Sequence, residues 1–351
     1  MLSIAVIGAT GAVGLECLSL LDRGMLPARR VIPVASPRSA GRDLAREQRL
    51  ALPLDPLTTL DEFDPAAADL VVLAAGAEIS RRTADRFARA GALVVDNSSA
   101  FRMEPDVPLV VPQVNPEALT DRPGRGIVAN PNCSTIQLVR VLHPLTRLAE
   151  IDSVVLSTYQ AASGGGLTGL RELAHTSSRV LADPSWSARR PGRFGAQLAF
   201  NVVPEIGLPD ASGFTHEERK LAREPRKILD RPALRVTATA VRVPVFHCHS
   251  EAVYIRMAEP VTSSAVEEVL AATPGLVVHR RSDASDVRIP MPRQVFASGE
   301  QRRAVHVGRV RVDPDDPTAV WLWIVADNLW VGAALNALEI AEVAFKQGWL
   351  G

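Results

Sequence analysis

The chain opens Leu2-Ser3-Ile4-Ala5-Val6-Ile7-Gly8-Ala9-Thr10-Gly11-Ala12-Val13-Gly14-Leu15, and the order of these residues decides the fold. An apolar run of strand length, Leu2–Ile7, leads into glycines at every third position. Leu15–Leu21 then continues with helical spacing and stops near Gly24. Strand, glycine turn and helix in that order form the unit that binds dinucleotides. The glycines let the backbone approach a pyrophosphate, and the helix N-terminus offers it unpaired N–H groups and a positive dipole end. The spacing is G-x-x-G-x-x-G rather than the commoner G-x-G-x-x-G, so a tight turn without a ligand stays open on these residues alone. Gly8, Thr10, Gly11, Ala12, Val13 and Gly14 are the candidate cofactor contacts.

The same alternation continues. It predicts strands at Val31–Ala35, Leu70–Ala74 and Leu93–Asp96 and a helix over Ile79–Ala90, the rhythm of a parallel sheet covered on both faces. In NAD binders a carboxylate about 20 residues beyond the glycines bonds the ribose 2′-hydroxyl, whereas an arginine there suits a 2′-phosphate. This chain reads Ala35-Ser36-Pro37-Arg38-Ser39-Ala40-Gly41, with no carboxylate before Asp43. Ser36, Arg38 and Ser39 therefore read as a phosphate cradle and favour NADP, with an ordinary basic turn as the alternative.

At 351 residues the chain is too long for one comfortable core, which predicts two domains. Apolar residues at 47% and charged residues at 22% fit a soluble globular protein. With 39 basic and 39 acidic residues the net charge is zero, which argues against nucleic acid or an anionic membrane as partner. Cys17, Cys133 and Cys248 are odd in number and lack metal-ligand spacing, so free thiols in a reducing compartment and no metal are expected. The start of the chain carries no basic and apolar leader, and no apolar run reaches membrane-spanning length, so a cytoplasmic protein is expected.

The second informative stretch is Ile127-Val128-Ala129-Asn130-Pro131-Asn132-Cys133-Ser134-Thr135-Ile136-Gln137. It puts a cysteine where a proline-fixed run turns into a helix-period run through Ile136, Leu138, Val139, Leu142, Leu145 and Leu148. The N–H groups and dipole of a helix start favour a thiolate, and the same N–H groups can hold the oxyanion formed when that thiolate adds to a carbonyl. A small buried cysteine is the plainer alternative for this residue taken singly. The proline-dense segment Glu104–Pro123 reads as an irregular connection. Beyond residue 150 the pattern changes. Strands are expected at Asp152–Tyr159, Leu234–Val245, Ala252–Met257, Leu276–Arg280, Val305–Val312 and Val320–Val325. Helices are expected at Leu167–Leu181, Thr215–Leu229, Ser264–Ala272 and Gly332–Gln347, with Asp183–Arg193 as a surface loop. These elements predict a mixed or antiparallel sheet.

Several blocks together resemble the aspartate-semialdehyde dehydrogenase family. They are GATGAVG at 8–14, SPRSAG at 36–41, DNSSAFR at 96–102, ANPNCSTIQ at 129–137 and TYQAASGGG at 158–166. EERK at 217–220, VRVPVFHCHSEAV at 241–253, PRQVFASGE at 292–300 and DNLWVGAALNALEIAE at 327–342 complete the set. The resemblance covers the chain in order and implies an α/β enzyme. A Rossmann-type NADP-binding domain, residues 1–130 completed by the C-terminal helix 328–351, would join an α+β catalytic and dimerisation domain with a mixed sheet, residues 131–327. It implies Cys133 as nucleophile, His249 as general base and Gln160 as the residue orienting the acyl intermediate. Arg242 would hold the substrate α-carboxylate and Glu217 its amino group. Arg102, Asn132 and Lys220 would bind inorganic phosphate, and Ser163, Gly164 and Asn328 would add to the cofactor contacts. His143, His175 and His247 are read as structural. One departure is visible, since the family commonly has Lys where this chain has Val331.

The implied reaction is the NADP-dependent interconversion of L-aspartate 4-semialdehyde plus phosphate with L-4-aspartyl phosphate, in the biosynthesis of lysine through diaminopimelate, methionine, threonine and isoleucine, by a homodimer. Three alternatives are weighed. Glyceraldehyde-phosphate dehydrogenases place their cysteine in a Ser-Cys-Thr-Thr-Asn context, unlike Asn132-Cys133-Ser134-Thr135-Ile136. N-acetyl-γ-glutamyl-phosphate reductases typically read Asn-Pro-Gly-Cys-Tyr-Pro and have no use for a carboxylate at an amino group. A non-catalytic paralogue would be marked by loss of Cys133 or His249, and both are present.

Overall fold

Buried along its whole length, β1 (Leu2–Ile7) has a continuous apolar reading because a central parallel strand is covered on both faces. It leads through the glycine turn into α1 (Ala12–Asp22), and β2 (Ala28–Ala35), α2 (Leu44–Gln48), the two-residue β3 (Thr58–Thr59), β4 (Leu70–Leu73), α3 (Ala77–Arg89), β5 (Leu93–Asp96) and β6 (Ile127–Ala129) follow. The strands form one parallel sheet in the order β3-β2-β1-β4-β5-β6, the Rossmann order. The computed structural model describes residues 1–188, 192–280 and 289–350. It divides into two compact units, Met1–Asn132 together with the residues from Ala333 on, and Cys133–Gly332.

In the first unit the glycines are fixed by close approach. Gly8 has φ +89, and a Cβ there would lie 2.7 Å from the Ala74 carbonyl oxygen. A Cβ on Gly14 would fall on the Gly8 carbonyl oxygen. The strand order reverses between β1 and β4, so the Gly8–Gly14 turn lies at the carboxyl end of the sheet where ligands of such sheets bind. The DNSS block has a structural reason. Asp96, buried at the end of β5, accepts from Ser80 Oγ at 2.7 Å, Ser98 Oγ at 2.8 Å and the Ser98 N–H at 3.0 Å. The proline-dense connection holds one short turn of 3₁₀ helix, Pro116–Leu119, and is otherwise irregular.

The second unit begins with α4 (Cys133–Leu145), followed by β7 (Ile151–Gln160), α5 (Gly166–Ala182), α6 (His216–Ile228), β8 (Arg235–Arg242), β9 (His249–Met257), α7 (Ser263–Ala271), β10 (Leu276–His279), α8 (Pro292–Ala297), β11 (Val305–Val312) and β12 (Ala319–Ala326). Its sheet has the order β10-β11-β12-β9-β7-β8 and is mixed. The β10–β11 and β7–β8 pairs are parallel, and the remaining pairs are antiparallel. α4 is buried on nearly every side and packs against α6, α7, β11 and β12. Residues alternate between the faces of each strand. One face carries Val154, Leu156, Ile255 and Leu322 into the core, and the other exposes Val155, Tyr159 and Trp321.

Three strand boundaries differ by three residues from the sequence reading. β2 starts at Ala28 rather than Val31. β8 ends at Arg242 rather than Val245, because Pro244 has no N–H to give to a ladder. β9 starts at His249 rather than Ala252, since its polar first residues are buried and paired with β12. The C-terminal helix starts as a π turn, Trp330–Ala334, and becomes α9 (Leu335–Lys346), which returns to the first unit. Residues 189–191 of the expected surface loop lie outside the described residues. Among the described residues no helix is long and apolar enough to cross a membrane.

The Gly14 contact sets a test. Gly14→Ala puts a methyl group into the Gly8 carbonyl and is expected to lower the free energy of unfolding by about 1–3 kcal/mol, the usual range for forced overpacking. Urea denaturation measures it, and an unchanged midpoint refutes the close approach.

Candidate active site

Parallel β7 and β8 end side by side at Gln160 and Arg242, and antiparallel β9 begins beside them at His249. The register sets Gln160 opposite Arg242 and Thr158 opposite Glu251. Because side chains alternate along a strand, Thr158, Gln160, Arg242, His249 and Glu251 all fall on the buried face at one end of the sheet. Core sheets seldom bury so many polar groups together.

The backbone of Ala161 orients two of them. Its N–H donates to His249 Nδ1 at 3.0 Å, and its carbonyl accepts from Arg242 Nη1 at 2.7 Å. Burial pulls the Arg242 guanidinium below its ordinary range, while the charges of Glu217 and Cys133 act in the opposite sense. Phe194 lies against the same guanidinium, 5.5 Å from ring centre to Cζ. Glu217, on the first turn of α6, accepts from Gln160 Nε2 at 3.1 Å and from Lys220 Nζ at 2.8 Å. Its helix is set by a capping box in which Thr215 and Glu218 satisfy one another's backbone N–H groups. The second Glu218 oxygen accepts from the Ala240 N–H of β8 at 3.0 Å, which ties α6 to the strand carrying Arg242.

His249 is fully buried, and burial, followed by the nearby Arg242 charge, pushes its imidazole down to about 3. The ring is therefore neutral at physiological pH. Since Nδ1 accepts from Ala161, the proton of that neutral ring sits on Nε2, which has no hydrogen-bond partner among the described residues. The sequence reading gave His249 the part of a base. The tautomer makes Nε2 a donor in the resting protein.

Cys133 is the first residue of α4 and half-buried. Gly332, in the π turn, packs directly over it. A Cβ there would lie 2.7 Å from Cys133 Cβ. Gly164 plays the same part beside the other two groups, since a Cβ there would lie 2.6 Å from Arg242 Nη1 and 3.4 Å from His249 Nε2. Ser163 Oγ donates to Asn328 Oδ1 at 2.9 Å, and the same oxygen accepts from the Cys248 N–H at 3.1 Å. Val331 is fully buried.

The remaining predicted residues belong to the first unit, except Lys220. Arg102 donates to the carbonyls of Asn130 and Asn97 at 2.9 and 3.0 Å. Asn132, buried, ends the unit three residues after β6. At the nucleotide end, α1 has no side-chain cap at Gly11, so its first-turn N–H groups face the Gly8–Gly14 turn. Thr10 Oγ1 and Ser39 Oγ stand 3.3 Å apart, and Ser36 and Arg38 are exposed beside them in the chain. Asp43, the nearest carboxylate, caps α2 through the Arg46 N–H instead of pointing back to this loop. This donor set, with a turn too tight for a Cβ at Gly8 or Gly14, fits a dinucleotide carrying a 2′-phosphate.

Sequence reasoning missed the Ala161 peptide, Gly332, Gln137 and Glu251. A backbone group has no signature in sequence, and Gly332 matters only through a tertiary contact. The one available signal was Glu251, a carboxylate on the same strand face as His249.

Comparison with known proteins agrees along the chain. Two family models match, semialdehyde dehydrogenase, NAD binding domain, over residues 3–122, and semialdehyde dehydrogenase, dimerisation domain, over residues 142–331. An aspartate-semialdehyde dehydrogenase of Synechocystis sp. is 41% identical, covering 99% of this chain and 98% of the relative. One from Aquifex aeolicus is 39% identical, covering 98% of each. The crystal structure of aspartate semialdehyde dehydrogenase II complexed with ASA from Vibrio cholerae superposes with a TM-score of 0.90 at 37% identity, covering 99% of this chain and 98% of that one.

The imidazole assignment is open to direct observation. In ¹⁵N-histidine spectra one ring is expected to keep a protonated Nε2 and a bare Nδ1 from pH 5.5 to 8, about the span over which an ordinary histidine titrates. The signal should vanish in His249→Asn. If the signal lost in His249→Asn titrates near pH 6.5, or carries its proton on Nδ1, the arrangement is refuted.

Proposed function

The chain belongs to the aspartate-semialdehyde dehydrogenase family, and on that premise we propose that it interconverts L-aspartate 4-semialdehyde plus phosphate with L-4-aspartyl phosphate, using NADP. The observation that carries the reading is the cluster of Cys133, His249, Gln160, Arg242 and Glu217 on one unit, with Arg242 and Glu217 of opposite charge. A free α-amino acid presents a carboxylate and an ammonium to match them. An N-acetylated substrate has no ammonium and would leave the Glu217 carboxylate facing a neutral amide.

The chemistry follows from the residues. The Cys133 thiolate, favoured by the N-terminus of α4 and by the Arg242 charge, adds to the aldehyde carbon. The oxygen becomes an oxyanion and meets the Nε2–H of His249 as a donor, with the ring held in place by Ala161. Gln160, fixed by Glu217 and Thr158, orients the acyl group. NADP, when bound, supplies the hydride acceptor that leaves the substrate on Cys133 as a thioester. We assign its binding to Gly8, Thr10, Gly11, Ala12, Val13, Gly14, Ser36, Arg38 and Ser39, with Ser163, Gly164 and Asn328 as further contacts. We assign phosphate, which attacks the thioester, to Arg102, Asn132 and Lys220. In this reading residues 1–130 with 328–351 serve the cofactor and 131–327 serve catalysis and dimerisation. A cytoplasmic location and a place in lysine, methionine, threonine and isoleucine synthesis go with that activity.

Initial rates test the proposal. The protein is expected to reduce NADP with aspartate 4-semialdehyde and phosphate, to prefer NADP over NAD, and to leave N-acetylglutamate semialdehyde almost untouched. Cys133→Ala should lose at least about 10³-fold in kcat while binding NADP normally, as removal of a covalent nucleophile does. Comparable rates on the two aldehydes refute the substrate, and an active Cys133→Ala refutes the covalent route.

A homodimer is proposed from the exposed sheet face. Val155, Tyr159 and Trp321 are solvent-exposed on β7 and β12, and the ring pairs Tyr159–Trp323 and Tyr254–Trp321 lie at 5.3 and 4.9 Å. A contiguous aromatic face of this kind marks an association surface. Trp321→Glu is expected to shift the protein from dimer to monomer in analytical ultracentrifugation. An unshifted dimer places the interface elsewhere.

A further inference from the structure

Glu251 has no part in the reaction described above, yet it is fully buried within the same face of the sheet as His249, two residues further along β9. Across the register its neighbours are Thr158 on β7 and Ile324 on β12. The polar side chain facing it is Gln137, which lies on α4 one turn beyond Cys133 and is itself fully buried. Two short rows thus run in register, Cys133 and Gln137 along the helix, His249 and Glu251 along the strand. The Gln137 amide exerts a hydrogen-bond pull on the carboxyl, but neither group closes a hydrogen bond of standard geometry, among the described residues. A carboxyl in that setting serves either as a structural plug or as a device acting on the neighbouring row.

We propose that Glu251 is a positioning residue for the Cys133 thiol, its uncharged carboxyl holding Gln137 and with it the first turn of α4. The proposal rests on the assignment of Cys133 as nucleophile. Burial supports it by pushing the Glu251 carboxyl up to about 8, so that it is neutral at pH 7 and gains a charge just above. Folded protein keeps this proton where the unfolded chain has released it, so the carboxyl costs stability progressively as pH rises from its ordinary range toward 8. A neutral carboxyl donates to the Gln137 amide oxygen and accepts from its N–H, whereas a carboxylate loses the donor and repels a thiolate.

Ionisable groups on elements packed against this face include Cys133, Arg140 and His143 on α4, Arg242 on β8, His249 on β9, Glu217, Glu218, Lys220 and Glu224 on α6, Glu267 and Glu268 on α7, and His306 on β11. Arg140 donates to the Gly275 carbonyl, Glu217 pairs with Lys220, Glu218 caps α6 and His306 bonds His279. His249 stays neutral over the range concerned, because burial holds its imidazole far below it. Besides the Cys133 thiol itself, whose ordinary range lies just above 8, Glu251 is the buried group on this face placed to change charge near pH 8.

Alkylation of Cys133 by iodoacetamide, followed across pH 6 to 10 with peptide mass spectrometry, needs no substrate. Its outcome is thus separable from failure of the proposed activity. The wild-type rate rises with ionisation of the Cys133 thiol itself and is expected to carry a second inflection near pH 8, and Glu251→Gln, an uncharged isostere, should abolish that second inflection while keeping kcat at pH 7 within about threefold. Glu251→Leu, which removes the hydrogen-bonding pair, should lower kcat by about 30-fold or more with KM for the aldehyde within about twofold. Where Glu251→Leu does not fold, the Glu251→Gln profile decides alone. A second inflection near pH 8 that persists unchanged in Glu251→Gln, or a folded Glu251→Leu enzyme with wild-type kcat, overturns the proposal.

Discussion

One peptide group, that of Ala161, governs the chemistry of the second unit. Its N–H fixes the tautomer of His249 and its carbonyl anchors Arg242, so a single backbone plane sets the orientation of both. A guanidinium buried to this degree is costly unless hydrogen-bonded and paired, and the Ala161 carbonyl with the Glu217 charge provides both. The segment is itself pinned, since the Ala162 and Ser163 N–H groups donate to the carbonyls of Val245 and Phe246. The short loop between β8 and β9 therefore carries the two ends of the site and also holds the peptide that aligns them.

Much of this was legible in the sequence, for identifiable reasons. Parallel strands buried on both faces leave unbroken apolar runs, so β1, β4 and β5 were visible, and the glycines between β1 and α1 marked the nucleotide turn. Cys133 was legible because a helix start leaves a change of period around it. β9 was read too short because His249, Ser250 and Glu251 are polar, and polarity was taken for exposure when the three are buried in register with β12. The part of a base was given to His249 by the resemblance and by the near-neutral pKa of its residue type, whereas the hydrogen bond that sets its resting tautomer comes from a main-chain group that no sequence displays. Nothing in the periodicity of α4 announces that the whole helix, Gln137 included, is interior.

Environment divides the chemistry among residues that would otherwise titrate alike. Burial pushes the His249 imidazole down and the Glu251 carboxyl up, so that both are neutral at pH 7, although one is nominally basic and the other nominally acidic. Cys17 and Cys248 are buried in apolar surroundings that push their thiols up, to about 12 for Cys17, while Cys133 keeps partial access and the influence of Arg242. Three cysteines of one chain are thereby sorted into two inert side chains and one accessible thiol.

The contact between Gly332 and Cys133 has a topological meaning. Cys133 is the first residue of the second unit and Gly332 is its last, and only the absence of a side chain on the glycine lets them touch. The second unit is thus a continuous loop of chain with its two ends together, set into the first between β6 and the segment that becomes α9. Units whose ends meet can be spliced into a host with little strain on either. The proposed nucleophile, Cys133, sits on that splice. A side chain at position 332 would therefore press directly on the residue that carries the sulfur.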